Sequence, residues 1–78
     1  MMEEILKTVD IQIRGNDPPE TRATYERLRA QGYSDEEARN LIGAVMANEI
    51  YDVLKSQKPF DTERFVARLA KLPQTPWK

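Results

Sequence analysis

The chain has 78 residues, with no cysteine and no histidine, and its acidic and basic residues balance to a formal net charge of −1. The missing residue types exclude disulfide bonds and leave no imidazole or thiolate ligand for zinc. Acids and bases are interspersed, which argues against nucleic-acid binding, because that function needs a basic face to neutralise phosphates.

No apolar run in the sequence approaches the length of a membrane span, and residues 1–10 lack the basic-then-apolar order of a signal peptide. We therefore expect a cytoplasmic, bacterial-type protein with no membrane partner and no cofactor. A single core of this size rarely supplies more than about 3–5 kcal/mol. With disulfides excluded, dimerisation is the common remaining way to bury more apolar surface.

Residues 2–14 predict the first helix. Its apolar residues recur every three or four positions: Met2, Ile5, Leu6, Val9 and Ile13. The alternation over residues 9–13 also fits a short strand, but such a strand would have no evident partner. Gly15 and Asn16 favour the end of the helix.

Residues 18–31 predict the second helix, after a turn that contains two prolines. Proline is tolerated in a first helical turn, and the Asp17 to Glu20 spacing is that of a capping box, so either Asp17 or Pro18 is the cap. The apolar stripe is thin: Thr21, Thr24, Tyr25 and Leu28. The arginines of this region alternate with acids, which predicts a solvated face of mixed charge: Arg22, Arg27, Arg29 and Arg39.

Residues 34–57 predict a long third helix on which the other helices pack. Ser34 and Glu37 have the spacing of a capping box, and Pro59 predicts a stop near Ser56 or Gln57. At about 100° per residue, one broad side is apolar. Its residues are Ala38, Leu41, Ile42, Val45, Met46, Ile50, Val53 and Leu54.

Glu49 falls near the centre of this apolar side, where a carboxylate needs a partner. It pairs with Arg64, Arg68 or a tyrosine hydroxyl, or lies at the rim of an imperfect apolar side, or it binds a polar ligand or a partner's arginine. Tyr51 and Asp52 complete the candidate ligand or pairing site. The carboxylates of Glu49 and Asp52 lie one helical turn apart. No metal site is expected there, because an isolated pair of carboxylates is usually only a surface feature.

Small residues on the third helix form a patch that permits close approach of another helix, either from this chain or from a second copy. Gly43 costs about 1 kcal/mol relative to alanine inside a helix, so a close packing contact would explain it. The candidate interface is Gly43, Ala47, Ile50, Leu54 and Trp77.

Residues 62–72 predict the fourth helix, capped by Asp61. Phe60 and Phe65 occupy the two positions of a hydrophobic staple. Pro73 ends the helix, so we expect one domain over residues 1–72 and a tail over residues 73–78. Trp77, in that tail, either docks in an apolar groove or stays mobile.

Three segments resemble a family of small uncharacterised bacterial helical proteins that carry a domain of unknown function. These are P-P-E-T-R-A-T-Y-E-R-L from Pro18, A-N-E-I-Y-D-V-L at the end of the long helix, and K-P-F-D-T-E-R-F-V-A-R-L from Lys58. The resemblance implies a compact all-α domain but does not indicate any enzymatic reaction. Some relatives carry histidines where this chain has Leu6-Lys7 and Asn40, so a metal role does not transfer.

The sequence therefore predicts an all-α domain of four helices and no enzyme activity. A nucleophilic triad needs a base such as histidine, and the three glycines stand apart instead of forming a phosphate-binding loop. The predicted function is protein–protein interaction or homodimerisation. The alternative is a small-ligand or regulatory domain that uses Glu49.

Overall fold

A computed structural model describes residues 2–74 of the chain. It contains four α-helices: α1 (Met2–Gly15), α2 (Pro19–Ala30), α3 (Asp35–Ser56) and α4 (Thr62–Lys71). The prediction of an all-α, four-helix domain with a long third helix is confirmed. Trp77 lies outside the described residues, so its two alternatives, docking in a groove or mobility, both stay open.

Local signals in the sequence set the two ends of α3. The Ser34 hydroxyl accepts a hydrogen bond from the Glu37 amide at 3.0 Å, and the Ser34 amide donates to the Glu37 carboxylate at 2.8 Å. These two bonds are the predicted capping box. Gln57 ends the helix with a left-handed backbone (φ 58°), a conformation common at helix C-termini, and Pro59 biases the next residue, Lys58, away from helical dihedrals.

The shorter helices begin in two different ways. Asp61 caps α4 by accepting a hydrogen bond from the Arg64 amide at 3.0 Å. The rings of Phe60 and Phe65 lie 5.6 Å apart, as the predicted staple requires. Pro18 is the N-cap of α2 and has no side-chain cap bond, so of the two candidates it is Pro18 and not Asp17 that caps this helix.

α3 is the longest helix, and α1, α2 and α4 all pack against it. α2 also contacts both α1 and α4, whereas α1 and α4 do not touch each other within residues 2–74. The two helices therefore flank the α2–α3 pair. The buried apolar core draws on all four helices and the residue after α4: Ile5, Val9, Leu28, Ala38, Ile42, Val45, Met46, Phe65, Leu69 and Leu72.

α1 runs antiparallel to α3. Its first turns lie over Gly43, since a Cβ atom placed on that glycine would meet Leu6 Cδ2 at 3.1 Å and the Met2 sulfur at 3.6 Å. Further along α1, Asp10 pairs with Arg39, one turn nearer the start of α3. The first helix thus covers the N-terminal half of α3, and its described residues begin near the middle of the long helix.

Candidate functional site

Glu49 is fully buried and its charge is paired. Both carboxylate oxygens lie within reach of arginines from α4: Arg64 Nε is 2.9 Å from Oε2, and Arg68 Nη1 is 2.6 Å from Oε1. No buried side-chain nitrogen or oxygen in the described part of the chain lacks a hydrogen-bond partner. Of the alternatives for Glu49, the structure therefore shows pairing with Arg64 and Arg68.

A second layer of acceptors surrounds the two arginines. Arg68 donates to the Asn48 side chain and, at 3.2 Å, to Asp52. The hydrogen bond to Glu49 raises the pKa of Arg64, and the negative charges of Asp52 and Asp61 act in the same direction. The cluster joins α4 to α3 electrostatically, and an incoming ligand would have to displace an arginine to reach Glu49.

Tyr51 is separated from the other two residues of the predicted ligand site. Two positions along a helix rotate a side chain by about 200°, so Tyr51 points away from buried Glu49, and it is 59% exposed. Its ring lies 5.9 Å from the Lys55 ammonium. Asp52 does join the Glu49 cluster through the arginines. Among the described residues, no group of three or more acidic side chains is placed to hold a metal ion.

Gly43, Ala47, Ile50 and Leu54 form one line along α3, which we call the α3 seam. Their spacing of four, three and four residues keeps them within an arc of about 60° on the helix surface. Gly43 is buried under α1, where an added Cβ would lie 3.1 Å from Leu6 Cδ2. Of the two uses proposed for this glycine, the structure shows the contact within the chain.

The remainder of the seam runs past the start of α1. Ala47 and Ile50 are half-buried, and Leu54 is 69% exposed. No residue of α1 that the structure describes extends far enough to cover Leu54. The same helix face is therefore an intramolecular contact at Gly43 and an open apolar surface from Ala47 to Leu54, which we call the open seam.

Other exposed apolar side chains lie beside the open seam. Met2, 44% exposed, marks its inner end where α1 begins, and Tyr51 lies about 60° from Leu54 around the helix. Ile11 is also 69% exposed, but it lies on the outer face of α1, away from α3. It therefore provides a matched reference residue for Leu54.

Two arginines predicted to lie on a solvated face instead join helices, and for them that prediction was wrong. Arg39 makes a two-pronged ion pair with Asp10 of α1, with both N–O distances 2.8 Å. Arg27 donates to the backbone carbonyls of Leu69 and Leu72, at 3.0 and 2.9 Å. Arg27 thus adds donors at the end of α4, where carbonyls lack their usual helical partners; the Leu69 carbonyl also accepts from the Leu72 amide at 3.1 Å.

Beside the Arg39 pair, Tyr25 donates a hydrogen bond from its hydroxyl to Asp35. This bond lowers the pKa of Asp35 and raises that of Tyr25. The depression they share with Asp10 and Arg39 is shallow and open. Its carboxylates are already bonded to tyrosine or arginine, so the arrangement stabilises helix contacts and offers no unpaired acid or base.

Comparison of the chain with protein-family models, curated proteins and solved structures finds no match. None of the helices within residues 2–74 is both long enough and apolar enough to cross a membrane.

Proposed function

We propose that this protein is an interaction module that binds another protein through the open seam of α3. The observation that carries the proposal is that Leu54 is 69% exposed although it lies on the same line along α3 as Gly43, which is buried under α1. Covering one leucine side chain contributes roughly 1.5–3 kcal/mol. The open seam therefore offers an apolar helix contact of the same kind as the packing of α1 over Gly43.

The spacing of the open seam suits a helical partner. Ala47, Ile50 and Leu54 repeat at three and four residues, which is the pattern by which one helix packs its ridges into the grooves of another. Ala47 is small and lets a partner backbone come close, while Ile50 and Leu54 provide apolar area. A partner that presents an amphipathic helix fits this surface.

The small-ligand alternative has less support. It assigned recognition to Glu49, whose two carboxylate oxygens both face arginines of the same chain. Tyr51, the other residue of that hypothesis, faces away from this cluster. The cytoplasmic location and the bacterial helical family stay predictions from the sequence.

A capture experiment with matched variants tests the proposal. Immobilised wild-type protein is compared with Leu54→Glu and Ile11→Glu, which place the same charge at two equally exposed positions. We expect wild type and Ile11→Glu to retain the same bound protein, including a tagged copy of the chain itself, and Leu54→Glu to lose it. Retention that is equal for all three would refute binding through the open seam.

A further inference from the structure

We propose that the partner bound by the open seam is a second copy of this chain, with the two α3 helices antiparallel about a twofold axis between Ile50 and Leu54. This inference rests on the proposed function of the seam and names its partner. In a twofold interface the same patch serves both copies, so Ile50 of each copy packs on Leu54 of the other.

The lengths of α1 and α3 fit this arrangement. α3 ends at Ser56, shortly after Leu54. With Ile50 opposite Leu54, the last residue of the second copy's α3 lies opposite Asn48. Met2 and Leu6 lie over Gly43, so the incoming helix ends about where the described part of α1 begins. A helix that continued further along the seam would meet Met2, whereas the α3 of a second copy ends before it reaches that residue.

Charge is complementary at the same place. The first turn of α1 is acidic, with Glu3 and Glu4, and the last turn of α3 carries Lys55, followed by exposed Lys58. Antiparallel pairing brings the basic end of each α3 towards the acidic start of the other copy's α1. It also places the negative end of one helix dipole near the positive end of another. The net charge of −1 per chain gives little repulsion between copies.

The open seam is short, so the dimer is weak. Ala47 to Leu54 spans about 10 Å of helix, and such a contact belongs to the small, transient class that buries less than about 1,200 Å². The dimer should therefore dissociate on dilution through the micromolar range. Weak pairing also leaves the surface available to exchange partners.

The first test is native mass by sedimentation equilibrium from micromolar to millimolar protein. Wild type and Ile11→Glu should move together from a mass above that of the 9.1 kDa monomer to that mass on dilution. Leu54→Glu should stay monomeric, or weaken association at least about tenfold, since it places charge in an apolar contact. A wild-type monomer at every concentration, or equal weakening by both variants, would overturn the inference.

Cysteine cross-linking tests the antiparallel register. Because the chain has no cysteine, an introduced thiol is the only one present. A mixture of Ile50→Cys and Leu54→Cys should form the mixed disulfide dimer faster than either variant alone or Ile11→Cys. Fastest cross-linking of Leu54→Cys with itself would indicate a parallel pair and contradict the proposed arrangement.

The two proposals fail in different ways. If wild type is monomeric but captures a different protein in a Leu54-dependent manner, the seam is an interaction surface and the second-copy inference is wrong. If neither self-association nor capture depends on Leu54, both proposals are wrong.

Discussion

Replacing Glu49 with glutamine should destabilise the fold substantially, because the side chain is buried and bonded to two arginines. The substitution keeps the shape and removes the charge. Its amide oxygen can still accept from one guanidinium, but its NH₂ group then faces N–H donors of Arg64 or Arg68. One buried donor is left without an acceptor, while the arginines, 41% and 23% exposed, regain water.

The cost follows from these two effects. A buried donor without a partner costs about 1–3 kcal/mol, and a hydrogen bond to a charged group contributes about 1.5–3 kcal/mol. Rehydration of the partly exposed side chains of Arg64 and Arg68 offsets part of this loss of free energy. We therefore expect Glu49→Gln to lower the free energy of unfolding by about 2–3 kcal/mol. A single core of this size rarely supplies more than about 3–5 kcal/mol, so the variant should be visibly less stable.

Urea unfolding followed by circular dichroism measures this loss, as a midpoint lowered by roughly 1–2 M. The matched control is Asp52→Asn, in the same cluster. The Asp52 side chain is 31% exposed and lies 3.2 Å from Arg68, so its loss should cost at most about 1 kcal/mol. If Glu49→Gln costs no more than Asp52→Asn, burial is not what makes Glu49 important, and the reasoning is wrong.

Three further predictions concern the other helix contacts. Gly43→Leu should lower the free energy of unfolding by about 1–3 kcal/mol, because the added side chain has no room under α1. The loss would be measured as a lower urea midpoint, and an unchanged midpoint would show that α1 does not pack there. Arg27→Met should cost about 1–2 kcal/mol through the lost bonds to the end of α4, and equal losses from exposed Arg29→Met would contradict that role. The hydrogen bond from Tyr25 holds the pKa of Asp35 below its ordinary 3.8. Its contribution is therefore present above that pH and lost as the pH falls through the lowered pKa. The advantage of wild type over Tyr25→Phe in urea stability should be largest near neutral pH and should shrink as the pH falls below 3.8; a constant difference would refute the assignment.

The helix boundaries were predictable because their causes are local. Ser34 and Asp61 cap helices by bonding to amides three residues away, and Pro59 acts on the residue before it. Such signals are complete within a few residues of sequence. Helical periodicity placed Glu49 near the centre of the apolar side of α3 but left open whether the side chain is buried or at a rim, and its arginine partners were among the predicted alternatives.

Contacts between distant segments were not predictable in the same way. Arg27 and the carbonyls it binds are more than forty residues apart, and nothing near Arg27 in the sequence distinguishes it from exposed Arg29. Arg39 likewise pairs with Asp10 only because α1 folds back along α3. An arginine on a charged face has the same local pattern whether it meets water or another helix.

The α3 seam lies between these two cases. Its spacing is visible in the sequence, but periodicity cannot say where the covering helix begins. That the first turns of α1 cover Gly43 while its described residues leave Leu54 open depends on the direction and register of α1 relative to α3. The structure thereby divides the predicted interface into a part used within the chain and a part left exposed.

The most direct test of the second-copy arrangement is a dilution series of ¹H–¹⁵N correlation spectra with assigned amides. The account predicts that signals of Ala47, Ile50 and Leu54 shift or broaden with increasing protein concentration, while those around Ile11 stay constant. Spectra that do not change with concentration, or changes centred on the outer face of α1, would contradict it.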